Sequence, residues 1–133
     1  MSRLPVVLCL LAAAWLAGAG ALRADDCKVH RGDHVVLYST TDDPSVLLWD
    51  SRARLRAYHA ASFDEAQAML PHAILAAPGT HANVMTCIPG AIESPLFAQA
   101  EDAVGVVISN GPNRGITRWV LGSDVRTLPN GHH

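Results

Sequence analysis

Apolar and polar positions alternate in short runs along most of the chain, and turn formers separate the runs. Residues 103–109 (AVGVVIS) are rich in valine and isoleucine and read as a strand. Residues 110–115 (NGPNRG) follow as a hairpin loop, since glycine and asparagine supply positive φ cheaply and Pro112 fixes its own φ. Residues 116–121 (ITRWVL) are the return strand, and Ser123 or Asp124 is placed to cap a short helical turn reaching Leu128. This hairpin is the expected wall of the domain.

Upstream, residues 34–38 (HVVLY) and 45–49 (SVLLW) predict two short strands around a loop of turn formers at 39–44. Residues 52–59 (RARLRAYH) alternate strictly, with Arg52, Arg54 and Arg56 on one side and Ala53, Leu55 and Ala57 on the other. Period two predicts a half-buried strand with a wet basic face, suited to guarding a sheet edge or to meeting a small anion or acidic polymer. Residues 62–70 (SFDEAQAML) predict the one helix. Ser62 and Glu65 form a capping box, Phe63, Ala66 and Leu70 share a face, and Pro71 stops it. Extended structure resumes at residues 72–75, and residues 77–80 (APGT) turn the chain. Residues 81–88 (HANVMTCI) predict a strand with Asn83, Met85 and Cys87 on one face and Ala82, Val84, Thr86 and Ile88 on the other. Residues 89–102 read as a connector in which Pro95 holds Leu96 and Phe97 against the core. Many short strands with one helix predict a mainly β domain, either a small, partly closed barrel or a strongly twisted antiparallel sheet.

The N-terminus changes the picture. Arg3 precedes an apolar run at residues 6–22 (VVLCLLAAAWLAGAGAL), and Arg23-Ala24-Asp25-Asp26 ends it. The pattern predicts a signal peptide over residues 1–24 and export to the periplasm or beyond. The run is close to the ~18 residues that cross a bilayer, so a retained anchor is the alternative. Cys9 has no small residue before it and Cys27 follows two aspartates, which argues against lipidation. Cleavage leaves about 109 of the 133 residues, one domain over residues 25–133 with a frayed tail at 130–133 and no stable membrane span. Only Cys27 and Cys87 then remain, and an even pair in an exported chain predicts one disulfide. Losing Arg3 and Arg23 moves the formal charge from −2 to about −4, which excludes a polybasic nucleic-acid footprint. Arg31-Gly32-Asp33 matches a short integrin-binding tripeptide but reads as a turn.

The last third resembles the end of bacterial SH3-like domains. The features are the Pro78-Gly79-Thr80 turn, Val84 in a strand, GVVIS, a glycine-bearing loop, then Trp119-Val120 and Asp124-Val125-Arg126. The resemblance covers about residues 72–128, with Arg118 in place of the family's usual glycine and no counterpart for residues 50–70. It implies a small SH3-like barrel and a non-enzymatic binding role toward an envelope protein, a peptide or cell-wall material. It also implies that Trp119 stands half exposed while Val120 points inward. The expected ligand-binding surface is Trp119 and Arg118 with Asn110, Asn113 and Arg114 of the loop. Trp49 is expected in the core, with Tyr58 a further candidate for a binding face.

Chemistry-bearing patterns are sparse. There is no GxSxG, no HExxH and no P-loop lysine, and Asp64 and Glu65 already serve the capping box, so no enzyme and no cofactor are expected. The chain has seven histidines, and His30, His34, His59 and His81 are the alternative, a periplasmic metal site formed by residues meeting in space. A loop-presenting enzyme inhibitor is a third reading.

Overall fold

The computed structural model describes residues 26–41 and 43–128. The expected signal peptide, Asp42 and the C-terminal tail with His132 and His133 lie outside the described residues. The fold is mainly β. Its strands are β1 (His34–Leu37), β2 (Val46–Leu48), β3 (Ile74–Ala76), β4 (Thr80–Ile92), β5 (Glu101–Ile108), β6 (Thr117–Leu121) and β7 (Val125–Thr127). Helices α1 (Arg52–Ala60) and α2 (Phe63–Met69) lie between β2 and β3. A 3₁₀ turn, Gly122–Asp124, joins β6 to β7.

One five-stranded antiparallel sheet runs in the order β6-β5-β4-β1-β7, and β2 and β3 form a separate ribbon. The inner face of the sheet places Val35, Leu37, Ala82, Val84, Val104, Val106, Ile108 and Val120 against Val46, Leu48 and Ala76 of the ribbon. β-Branched side chains dominate this layer because they pack well on a pleated surface. A second cluster forms where α1 docks. Trp49, Leu55, Ile92, Ala103 and Leu121 are its buried members, with Tyr58, Phe97 and Trp119 packed around them.

Residues 52–59 are helical, not the strand that their alternation predicts. Arginine, alanine and leucine are strong helix formers, and the stretch contains no β-branched residue. Ser51 caps the helix by accepting from the Arg54 N–H, and Asp50 pairs with Arg54 at 3.0 Å across one turn. The inward contacts come from Leu55, Tyr58 and His59, a helical spacing hidden under the arginine alternation. The capping box of α2 forms as the sequence predicts, with Glu65 and Ser62 bonding each other's backbone.

β4 departs from simple alternation. Its pairing with β5 skips a residue between Val84 and Thr86, and the bulge turns Met85 outward. Cys87 therefore shares the core side with Val84, not the outer face with Asn83. β4 also continues through Pro89-Gly90 to Ile92, a second register shift inside the expected connector, with Gly90 at φ +60°. Phe97 packs on the second cluster as expected, but Leu96 is 91% exposed because Pro95 starts a turn that faces solvent.

Candidate functional site

The disulfide sets the geometry of the N-terminal lead-in. Cys27 and Cys87 are bonded, with Cα atoms 6.3 Å apart. The bulge delivers Cys87 to the core side, and the crosslink draws Val29 into the main core at 5% exposure. Gly32 N–H donates to Val84 O at 2.8 Å, which fixes Arg31-Gly32-Asp33 as a turn beside β4.

Between this lead-in, the β4–β5 connector and the 3₁₀ turn lies an open cleft of about 810 Å³. Its walls carry Lys28, Glu101, Asp102 and Arg126. Asp102 accepts the Gly90 N–H at 3.0 Å and so ties the far end of β4 to β5. Gly122 stands so close that a Cβ there would lie 2.9 Å from the Asp102 Cβ, which is why the turn needs glycine at this point. Asp124 sits beside the same end of the sheet. Burial pushes its carboxyl up to about 6, hydrogen bonding from Thr40 opposes that rise, and Glu101 and Asp43 add to it.

One edge of the five-stranded sheet forms part of this cleft. β7 is the last strand in the order, and Val125, Arg126 and Thr127 line the cavity. Tyr38 N–H donates to Asp124 O, and Leu128 N–H donates to His34 O. In an antiparallel ladder these bonded positions alternate with unbonded ones. Val125 and Thr127, opposite Leu37 and Val35, therefore turn their backbone groups away from β1. The Val125 N–H is taken by Gly122 O, leaving the Thr127 N–H and two carbonyls aimed outward.

The sequence-predicted surface lies on and beside β6, at the other end of the sheet order from β7. Trp119 is half-buried, with its ring packed over Gly105, and Val120 is fully buried. The Trp119 backbone is committed to Trp49 in an isolated bridge. Arg118 donates from Nη1 to its neighbour's carbonyl, Thr117 O, at 2.8 Å, and its buried Nε has no partner among the described residues. Asn110 Oδ1 accepts the His81 N–H, Arg114 Nε donates to Ser109 O, and Asn113 O accepts the Ile116 N–H. Arg114 and Asn113 hold the hairpin turn together, and Asn110 ties it to the start of β4. Trp49 is fully buried, and Tyr58 stacks on it at 4.8 Å between centroids.

The four candidate histidines separate into three places. His34 and His81 meet, with Nε2 and Nδ1 3.0 Å apart. His30 stays exposed beside Asp33. His59 packs against Phe97, and burial lowers its pKa. A closely spaced group of Cys27, Cys87 and Asp102 also occurs, but both sulfurs are consumed by the disulfide. Nothing in the local sequence around Lys28, Asp102 and Thr127 marks them as neighbours of one cleft. Of the cleft walls, Val125 and Arg126 belong to the Asp124-Val125-Arg126 ending that carries the SH3-like resemblance, and the helical turn expected through Leu128 stops at Asp124, where β7 begins.

Searches against protein-family models, curated proteins and solved structures find no match to this chain. Among the described residues no helix is long and apolar enough to cross a membrane.

Proposed function

We propose that the chain is an exported, non-enzymatic binding module of the bacterial cell envelope, with an SH3-like domain that holds an extended polypeptide segment in the cleft beside β7. The observation that carries this reading is the outward-facing edge of β7 lining a cavity of about 810 Å³. An extended segment laid there adds a strand to the sheet, taking affinity from main-chain hydrogen bonds and selectivity from flanking side chains. Lys28, Arg126, Glu101 and Asp102 supply those flanking charges.

Export is supported by the apolar N-terminal run and by the intramolecular disulfide, since such bonds persist in oxidising compartments. The SH3-like assignment is supported by connectivity. Strands β4, β5 and β6 follow one another as antiparallel neighbours, a 3₁₀ turn follows β6, and β7 returns to pair with β1. In this reading residues 38–79 are one long excursion carrying both helices.

Affinity capture from envelope fractions with the parent, Thr127→Pro and Trp119→Ala chains tests the site. Proline at an edge position with its nitrogen facing outward is tolerated by a sheet yet removes the donor. Capture lost in Thr127→Pro and kept in Trp119→Ala supports the cleft. The reverse result moves the binding surface to the β6 hairpin.

A further inference from the structure

We propose that His34 and His81 form a two-histidine site for a borderline divalent cation, copper(II) or zinc(II), on the outer face of the five-stranded sheet. β1 and β4 place His34 opposite Asn83 and Val36 opposite His81, so the two imidazoles lie diagonally on one face. Their ring centroids are 5.2 Å apart, and both residues are half-buried.

Asn83 sets the chemistry of the pair. Its Oδ1 lies 2.9 Å from His34 Nδ1 and can only accept, so His34 carries its proton on Nδ1. That leaves His34 Nε2 as a lone pair aimed at His81 Nδ1, which donates across the 3.0 Å gap. A carbonyl oxygen on the far nitrogen is the outer-shell arrangement that orients a ligating imidazole and raises its basicity. His81 is fixed from both sides of its backbone. Its N–H donates to Asn110 Oδ1 and its carbonyl accepts from Ser109 N–H, each at 2.9 Å.

Metal–nitrogen bonds of roughly 2.0–2.1 Å set ligand nitrogens roughly 3.3 Å apart in a tetrahedral zinc(II) site and about 2.9 Å apart as neighbours in a tetragonal copper(II) site. The pair is within a few tenths of an ångström of either spacing. On binding, the proton on His81 Nδ1 transfers through water to Nε2, both facing nitrogens coordinate, and no net proton is released. Water fills the remaining positions. Among divalent ions a two-imidazole site ranks copper(II) above zinc(II).

The test is titration of the full mature chain with copper(II) chloride and with zinc(II) chloride, in a His132→Ala, His133→Ala background that removes the tail's imidazoles. The background chain is expected to bind one equivalent saturably, with copper tighter than zinc. His34→Ala and His81→Ala should each weaken that site about 10-fold or more. Asn83→Ala retains both ligands and should still lower affinity by about 10- to 100-fold. Metal-free thermal melts of all variants establish that each is folded. Absence of a saturable equivalent in the background chain overturns the proposal, as does unchanged binding in folded His34→Ala and His81→Ala chains.

Discussion

Trp49 and Trp119 exchange both backbone hydrogen bonds, Trp49 N–H to Trp119 O at 2.8 Å and Trp119 N–H to Trp49 O at 2.7 Å. This one bridge joins the β2–β3 ribbon to β6, so the two sheets share a seam next to the docked α1. The indole of Trp49 fills the cluster beneath, fully buried, while Trp119 is half-buried above it. Trp49→Ala should therefore cost about 3–5 kcal/mol. Trp119→Ala should cost clearly less. Urea denaturation of the two variants checks the order, and equal losses would show that the seam is not organised around Trp49.

The crosslink closes a loop with a sequence separation of 60. Chain-entropy arguments assign such a closure about 4 kcal/mol. Replacing both cysteines, Cys27→Ser with Cys87→Ser, should lower stability by about that amount and release Val29 from the main core. Equilibrium unfolding of the double variant, alongside the parent with and without reductant, measures it.

Asp124 gives a pH dependence of definite sign. Its folded pKa is raised from 3.8 to about 6, so between those values the folded state binds more protons than the unfolded one. Its contribution is fully present below the unfolded pKa and is lost as pH rises through about 6. His59 acts oppositely. Burial lowers its pKa, so its contribution is present above 6.5 and falls away as pH drops. The informative comparison is therefore parent against Asp124→Asn. The variant should gain relative stability at pH 7 and lose that gain by pH 4, read from denaturant midpoints across the range.

Gly122 tests the packing at the base of the cleft. Gly122→Ala brings a Cβ to within 2.9 Å of the Asp102 Cβ, a backbone-anchored atom that cannot swing aside. The expected loss is about 1–3 kcal/mol, the usual range for overpacking. A neutral result in thermal melts would mean that β5 and the 3₁₀ turn shift apart freely.

The strands were legible wherever a short apolar run was bounded by turn formers, as in β1, β2, β5 and β6. Ser62 and Glu65 announced α2 because a capping box is local chemistry. α1 was hidden because Arg52, Arg54 and Arg56 alternate by coincidence, while the spacing of Leu55, Tyr58 and His59 carries the helix. The face of Cys87 was illegible because a bulge depends on what Gly105 and Thr86 do together, two strands at once. The cleft was invisible for the same reason. Lys28, Asp102 and Thr127 come from three distant segments, and neither a disulfide nor an edge strand betrays which residues it gathers. His34 and His81 were both named from composition, but the contact of Asn83 with His34 has no signature outside the folded register.

An extended segment seated on the proposed β7 edge would bond the outward Thr127 N–H. Amide hydrogen exchange at Thr127, measured in the free chain and again with the captured ligand bound, tests it most directly. Exchange at Thr127 should slow markedly on loading, while the Trp119 amide, already bonded to Trp49, stays unchanged. Unaltered Thr127 exchange in a ligand-saturated chain would mean that nothing pairs with the β7 edge.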